Sequence, residues 1–373
     1  MANTYIDIDI LQTVPPSNLN RDDTGSPKTA VYGGVRRARV SSQAWKKATR
    51  KFFQDTLDPS SVGVRTKRIV ELLAERVTSI DPALSESAEQ LAEQVLKAAG
   101  ISVSKPSGRK ESPAESGYLL FFSTLQLDQL AQLAVEAAAT GEPPSKQLAK
   151  QAADSSRSID LALFGRMVAE APDLNVDAAA QVAHAISVHA VDNEFDYFTA
   201  VDDESPADTA GAGMIGTVEF NSSTLYRYAT VNVGPLNRSL GAAEATVAAV
   251  REFLRGFVTS MPTGKQNTFA NRTLPDAVVV SVRSGQPINL SGAFEDAVTA
   301  SDTGGRIESA SRKLAAHKLS LEEAFDQQPL ATFVVGAGDG TAGLDQLGER
   351  VTFGELIDRV GSLVNDRLDP TVR

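Results

Sequence analysis

A helix that is aromatic on one side and basic on the other has to be laid on something, and residues 43–54 form such a helix. At about 100° per residue, Trp45, Ala48, Thr49, Phe52 and Phe53 share one side, and Lys46, Lys47, Arg50 and Lys51 share the other. Ser41 and Ser42 stand before it as N-caps, whose hydroxyls can accept from the unpartnered N–H groups of a first turn. The aromatic side predicts burial against a sheet. A strand is at hand in Tyr5–Leu11, where Ile6, Ile8 and Ile10 point one way and Tyr5, Asp7 and Asp9 the other. That alternation predicts a half-buried strand. The basic side is then carried on a rigid element, where it can follow a line of phosphates.

Charge sharpens this reading. The chain has a net charge of -11, which by itself argues against a nucleic-acid binder. Yet Lys28, Arg36, Arg37, Arg39, Lys46, Lys47, Arg50 and Lys51 all fall between Thr24 and Gln54, a stretch without an acid. This window carries +8 and the remainder -19, within the net -11. A basic patch on an acidic body is a localised anion site with a soluble exterior. The plainer alternative is a solvated basic helix, which would normally interleave acids with its bases.

The 373 residues suit one large domain with insertions or two ordinary ones. Residues 14–34 read as a loop rich in Pro, Asn, Asp and Gly that closes on Gly33-Gly34. From about Pro59 to Ala190 the chain is rich in Ala, Leu, Gln and Glu at helical spacing. Helices are predicted near Val64–Ile80, from Asp81-Pro82 to Gly100, and near Gln126–Thr140, Ser155–Ala169 and Val176–Val191, with Lys105, Arg109 and Lys110 in a polar loop. Residues 203–217, mostly Gly, Ala, Asp and Ser, form a flexible stretch between two strand-like runs, the second being Thr224–Val233. Together these predict a long protruding hairpin. A helix from Gly241 to Phe257, a polar loop from Pro262 to Thr268, and strands at Ala277–Val282 and Ala331–Val335 follow. A Gly-rich loop and a helix near Phe353–Asn365 close the chain. Without its insertions the order is strand, helix, strand, strand, helix, strand. This is the split βαβ pattern of the α+β ferredoxin-like fold, which RNA-recognition modules use.

Several chemistries find no support. There is no cysteine, which excludes disulfides, thiolate-bound zinc and a thiol nucleophile. No apolar run reaches the ~18 residues of a membrane span, and the first twenty residues lack a secretion signal's basic cluster. A cytoplasmic protein without membrane partners is expected. His184, His189 and His317 are the only histidines; five residues apart on a helix, His184 and His189 would face different sides, so core or surface roles are expected. Gly338–Gly343 matches G-x-G-x-x-G after a strand-like Phe333-Val334-Val335, but the chain ends too soon for the rest of a dinucleotide fold. Gly264-Lys265 lacks the upstream glycine of a phosphate-binding loop, and no G-x-S-x-G elbow occurs. Asp22 and Asp23 could hold a divalent metal for strand cleavage, or merely shape their loop and pair with nearby arginines. No metal and no cofactor is expected.

Ordered blocks along the chain resemble the CasC family, the backbone subunits of type I-E CRISPR Cascade complexes within the RAMP superfamily. They are Pro16-Ser17-Asn18-Leu19-Asn20-Arg21-Asp22-Asp23, Tyr32-Gly33-Gly34-Val35-Arg36-Arg37-Ala38-Arg39-Val40-Ser41-Ser42-Gln43, Gly165-Arg166-Met167, Phe195 through Asp203, Leu225-Tyr226-Arg227-Tyr228-Ala229 and Gly264-Lys265-Gln266. The resemblance implies a hand-like organisation: a ferredoxin-like, RRM-like palm in two parts (1–58 and 224–373), a helical fingers insertion (59–190) and a thumb hairpin (191–223). It implies a non-catalytic subunit whose copies stack along a crRNA with other Cascade subunits, presenting the guide for pairing with target DNA in antiviral defence. Lys28, Ser41, Gln43, Lys46 and Arg50 would hold RNA phosphates, and Asn20, Arg21, Lys265 and Gln266 would complete the groove. Met167, Phe198 and Val201 would be apolar wedges at kinks in the RNA. The family often has Trp where this chain has Tyr197. Lys146 and Lys150 would meet duplex DNA. The alternative is a metal-dependent, RNA-guided nuclease subunit using Asp22 or Asp23.

Overall fold

In a computed structural model of the chain, residues 3–106, 112–200, 214–299 and 305–369 are described. The architecture is α+β, and the chain divides into two compact units, residues 1–50, 182–231 and 250–373 in the first and residues 51–181 and 232–249 in the second.

The first unit is built on one sheet. Among the described residues, nine of its ten strands are β1 (Thr4–Ser17), β2 (Thr29–Tyr32), β3 (Val35–Val40), β4 (Ala185–Ser187), β5 (Glu194–Ala200), β6 (Met214–Asn232), β7 (Ala277–Ser284), β8 (Ala331–Gly336) and β9 (Glu349–Arg350). Their order is β9-β8-β7-β1-β6-β4-β3-β2, and β5 pairs with β6. At the centre lies the ferredoxin-like order β7-β1-β6-β4, extended at one edge by β8 and β9 and at the other by the β2–β3 hairpin. Helix α1 (Ser42–Thr56) follows β3, and α2 (Ala243–Thr259) joins β6 to β7. The helices α3 (Arg306–Ala324) and α4 (Phe353–Leu368) follow β7 and β9.

Both faces of β1 are buried, so the strand is not half-buried as its alternation predicts. Ile6, Ile8 and Ile10 lie on one face. On the other, Asp7 accepts from the Tyr228 hydroxyl (2.8 Å) and ion-pairs with Arg283 (2.9 Å), while Asp9 accepts from the Tyr226 hydroxyl (2.7 Å). Arg283 also meets Glu322 at 3.0 Å, and Glu322 pairs with Lys318. Glu322 and Lys318 come from α3, a helix that the sequence reading leaves out altogether. Burial pushes the Asp9 carboxyl up to about 7, against the opposing hydrogen bond from Tyr226. Asp7 is raised as well, because its loss of water outweighs its hydrogen bonds and Arg283.

Other expectations also shift. Residues 29–40, partly read as loop, form a β-hairpin whose turn is Gly33-Gly34, at φ 58° and 77°. Two successive positive φ angles are what a tight hairpin requires. A Cβ on Gly33 would also run into the Glu295 carbonyl. The helix expected over Val176–Val191 is instead largely extended: Leu225 and Tyr226 pair with Ser187 and Ile186 of β4, and Arg39 and Val40 pair with its other edge. Tertiary pairing overrides the helix preference of this Ala-rich stretch. The second hairpin strand starts at Met214, ten residues before the predicted Thr224.

The second unit is mostly helical. Ile69–Ile80, Ala88–Ala98, Thr124–Thr140 and Lys146–Asp154 share one apolar core that includes Leu73, Val77, Leu91, Val95, Leu127 and Leu130. Thr124–Thr140 opens with a capping box between Ser123 and Gln126 and ends at Gly141 in the left-handed region. The helix predicted from Val64 begins at Ile69, because Gly63–Thr66 pairs as a strand with Leu120–Ser123. Over Ser155–Ala169 only Ile159–Phe164 is helical. Among the described residues no helix is long and apolar enough to cross a membrane.

Candidate nucleic-acid interface

The groove is assembled by the backbone around Asn20. The Lys28 amide donates to the Asn20 carbonyl (2.9 Å), the Arg39 amide to the Lys28 carbonyl (2.9 Å), and the Ser41 amide to Asn20 Oδ1 (2.8 Å). Ser41 Oγ in turn accepts from the Ala44 amide at 3.3 Å, capping α1. The loop before β2, the end of β3 and the start of the basic helix are thereby fixed together. Asn20, Lys28 and Arg39 line a small pocket with Ser17, Asn221 and Ser223 and the apolar Leu19, Val40 and Leu225.

Gly264 closes the other side. A Cβ there would sit 2.3 Å from the Leu19 carbonyl oxygen, so only glycine lets this turn lie against the loop. Lys265 follows at φ 50°, a strained conformation for a residue with a side chain, and caps the short helix Gln266–Phe269. The groove wall here consists of residues 19–25 and Gly264. Asn20, Arg21, Lys28, Ser41 and Lys265 are thus brought together within the first unit, with Gln266 exposed beside Lys265.

The helix behaves as its two faces predict. Trp45, Thr49 and Phe53 are buried, and Gln43, Lys47 and Lys51 are exposed. Trp45 stacks under the Arg227 guanidinium at 3.7 Å from its ring centroid, and Phe257 lies 4.7 Å away from the same group. Arg227 also donates to Gln12 Oε1 (2.6 Å) and to the Phe257 carbonyl. Burial lowers its pKa to about 9. Lys46 and Arg50 are half-buried one turn apart. Burial alone lowers the Lys46 ammonium from its ordinary value. Among the described residues no carboxylate lies within ion-pair reach of Lys28, Arg39, Lys46, Lys47 or Lys265, whereas Lys51 pairs with Asp55. Not all of the basic window is available to a ligand. The Arg37 guanidinium is buried and donates to the carbonyls of Tyr32, Ser187, Phe294 and Glu295.

Asp22 shapes its own turn. Its Oδ1 accepts from the Thr24 amide (2.9 Å), the Thr24 hydroxyl (2.7 Å) and the Ser26 amide (3.0 Å), and these bonds lower its pKa. Asp23 is exposed beside it. Among the described residues no group of three or more His, Asp or Glu side chains could hold a metal ion. Neither His184 nor His189 sits on a helix. His189 is buried, with Nδ1 2.8 Å from the Ala190 carbonyl and Nε2 accepting from the Thr224 amide at 3.0 Å, so it is neutral with its proton on Nδ1. His184 lies 3.2 Å from the Arg39 guanidinium. Arg39 is an oriented cation that the sequence reading did not single out, although the basic window contains it.

The hairpin β5–β6 carries exposed apolar side chains. Phe195 and Tyr197 share one face with Ile215, all at least 60% exposed. Phe198 is on the opposite face, 38% exposed, its ring lying over Gly216 of the paired strand. Val201 falls outside the described residues. In the second unit, Met167 is 79% exposed and is held by its neighbour Arg166. The buried Arg166 guanidinium donates to the carbonyls of Leu174, Phe121 and Ala153. Lys146 is exposed at the first turn of Lys146–Asp154, and Lys150 pairs with Asp173 at 2.6 Å.

Among the solved structures similar to the chain are two CRISPR surveillance-complex chains. One, described as a CRISPR RNA-guided surveillance complex, pre-nicking, is 36% identical with a TM-score of 0.86, covering 96% of this chain and 100% of that one. The other, a CRISPR RNA-guided surveillance complex, is 31% identical with a TM-score of 0.77, covering 96% and 99%. No curated protein matches the sequence. The profile of the CT1975-like proteins matches residues 6–359, and with the fold and the cationic groove in view the chain belongs to the CT1975-like protein family.

Proposed function

We propose that the chain is a subunit of a CRISPR RNA-guided surveillance complex and that it binds the crRNA backbone without catalysing a reaction. In the finer reading it is the CasC-type repeat subunit of a type I-E Cascade, whose copies form a filament along the guide and leave bases free to pair with target DNA. One observation carries the reading. In an acidic chain, Lys28, Arg39, Lys46 and Lys265 stand on fixed backbone with no carboxylate partner among the described residues, and Lys46 has already lost part of its water. A desolvated, unpaired cation is costly by itself and is relieved by an anion. Lys28 and Arg39 at one pocket, Lys265 next to the glycine that packs on the same loop, and Lys46 on the helix that Ser41 caps match a phosphate chain better than a single small anion. The exposed Met167, Phe198, Phe195 and Tyr197 suit the stacking that accompanies single-strand binding. Sequence recognition would then rest with base pairing, and the protein would read backbone.

The experiment is purification with a guide-expressing plasmid, followed by salt titration. The chain should retain RNA of discrete length. Its affinity should fall on a log–log plot with a slope of about -0.7 per phosphate contacted. Lys46→Glu with Arg50→Glu should abolish retention without unfolding the protein. Salt-independent binding, or full RNA retention by the double variant, overturns the reading.

A further inference from the structure

Glu219 is a carboxylate tied by hydrogen bonds to the loop that carries Asn20 and Arg21. It lies on β6 at the root of the hairpin, opposite Phe195. Each of its oxygens is engaged. Oε1 accepts from Ser26 Oγ at 2.8 Å and Oε2 accepts from Asn193 Nδ2 at 3.1 Å. Its main-chain carbonyl accepts from Asn18 Nδ2 at 2.9 Å, and the other proton of that amide goes to the Gly25 carbonyl at 3.0 Å. Asn193 Oδ1 accepts in turn from Asn221 Nδ2 at 3.1 Å. Ser26 belongs to the turn that Asp22 organises. A continuous hydrogen-bonded path therefore runs from Asp22 through Ser26 to Glu219 and on to both sides of the hairpin root.

From this path we infer that Glu219 is a positioning residue, which locks the β5–β6 hairpin to the loop carrying Asn20 and Arg21 so that hairpin and loop engage one RNA strand in a single register. The inference rests on the RNA-backbone reading above. A two-stranded hairpin is marginal alone, so its direction must be set at the root. Charge does not explain the residue, because a carboxylate near a phosphate path weakens binding. A purely electrostatic role therefore predicts that neutralising Glu219 tightens RNA binding and leaves RNA geometry alone.

The test is 2′-hydroxyl acylation mapping of the guide in complexes reconstituted with wild type, Glu219→Ala, Glu219→Gln and Ser26→Ala. Wild type should give reactive nucleotides at a regular spacing. Glu219→Ala should lose that periodicity at unchanged RNA content and unchanged melting temperature. Glu219→Gln should retain it, because its amide still accepts from Ser26 and can bond a turned Asn193. Ser26→Ala removes the same link from a surface loop and should also flatten the pattern, so it decides the matter if Glu219→Ala does not fold. Wild-type periodicity in Glu219→Ala, or in Ser26→Ala where the former is unfolded, overturns the inference. Wild type that carries RNA of no discrete length, without periodic reactivity, overturns the backbone reading itself, a distinct outcome.

Discussion

Replacing Phe198 by alanine separates a core residue from an RNA wedge. A fully buried phenylalanine costs roughly 3–5 kcal/mol on truncation. Phe198 retains 38% of its exposure, and its ring packs on Gly216 of the partner strand, where a Cβ would come 2.5 Å from Cζ. The loss is therefore closer to one cross-strand contact, about 0.2–1 kcal/mol. In a protein of this size that lowers melting by no more than about 2–4 °C. A base–aromatic stack contributes about 1–3 kcal/mol, and it would be lost once per copy along the guide. Guide retention, resting on many phosphate contacts, should survive while capture of target DNA weakens far more than one stack would suggest. Differential scanning fluorimetry of the isolated variant, beside target-strand binding by the reconstituted complex, measures both arms. A melting drop of core size, or undiminished DNA capture, refutes the wedge.

Three further outcomes follow from the core and the loop. Arg227→Leu should destabilise the protein by roughly 3–5 kcal/mol in denaturant titration, since it strands Gln12 Oε1 and the Phe257 carbonyl in the interior and removes the group between two rings; a loss below about 1 kcal/mol would show that the core closes without it. For Asp9, the folded state keeps a proton that the unfolded chain gives up above its ordinary carboxyl value, so stability falls as pH rises from about 4 toward the folded value of about 7, at roughly 1.4 kcal/mol per unit, and then levels off. Asp9→Asn should remove that fall, so its advantage over wild type in thermal melts should grow between pH 5 and pH 8; a constant difference would mean that Asp9 is ionised throughout. Asp22→Ala and Asp23→Ala should leave assembled complexes equally unable to cut complementary RNA or DNA with magnesium or manganese, and regular metal-dependent cuts lost in either variant would restore the nuclease alternative.

The first unit is readable in the sequence where one local pattern determines the outcome. The α1 faces and the C-terminal helix follow from side-chain period, and the Ala277–Val282 strand from its β-branched run, and the structure has them. Errors came where partners distant in sequence decide. Alternation in Tyr5–Leu11 gives two faces but not what covers them. Asp7 and Asp9 signal solvent until Arg283, Tyr226 and Tyr228 are known to face them, with Lys318 close behind. Arg306–Ala324 is a different case, a helix of ordinary composition whose buried Ala310, Leu314 and Ala315 mark its inner side.

For the site the division is between charge and geometry. A run of bases without acids marks Lys28, Lys46 and Arg50, yet the same run includes Arg37, whose guanidinium is spent on four carbonyls inside the fold. Residue type cannot distinguish a phosphate-binding arginine from one that ties loops together, because both need the same five donors. Burial decides between them, and burial depends on β4 and on residues 294–295 arriving from far along the chain. The same reasoning accounts for Arg227 and Arg166, which lie in blocks that read as functional but are occupied in packing. Their contribution is to hold a neighbour in place: Arg166 fixes the backbone that presents Met167, and Arg227 seats Trp45 so that the opposite side of α1 faces out. Glu219 gave no signal at all in the sequence, since its importance lies in which loop and which strand it bridges.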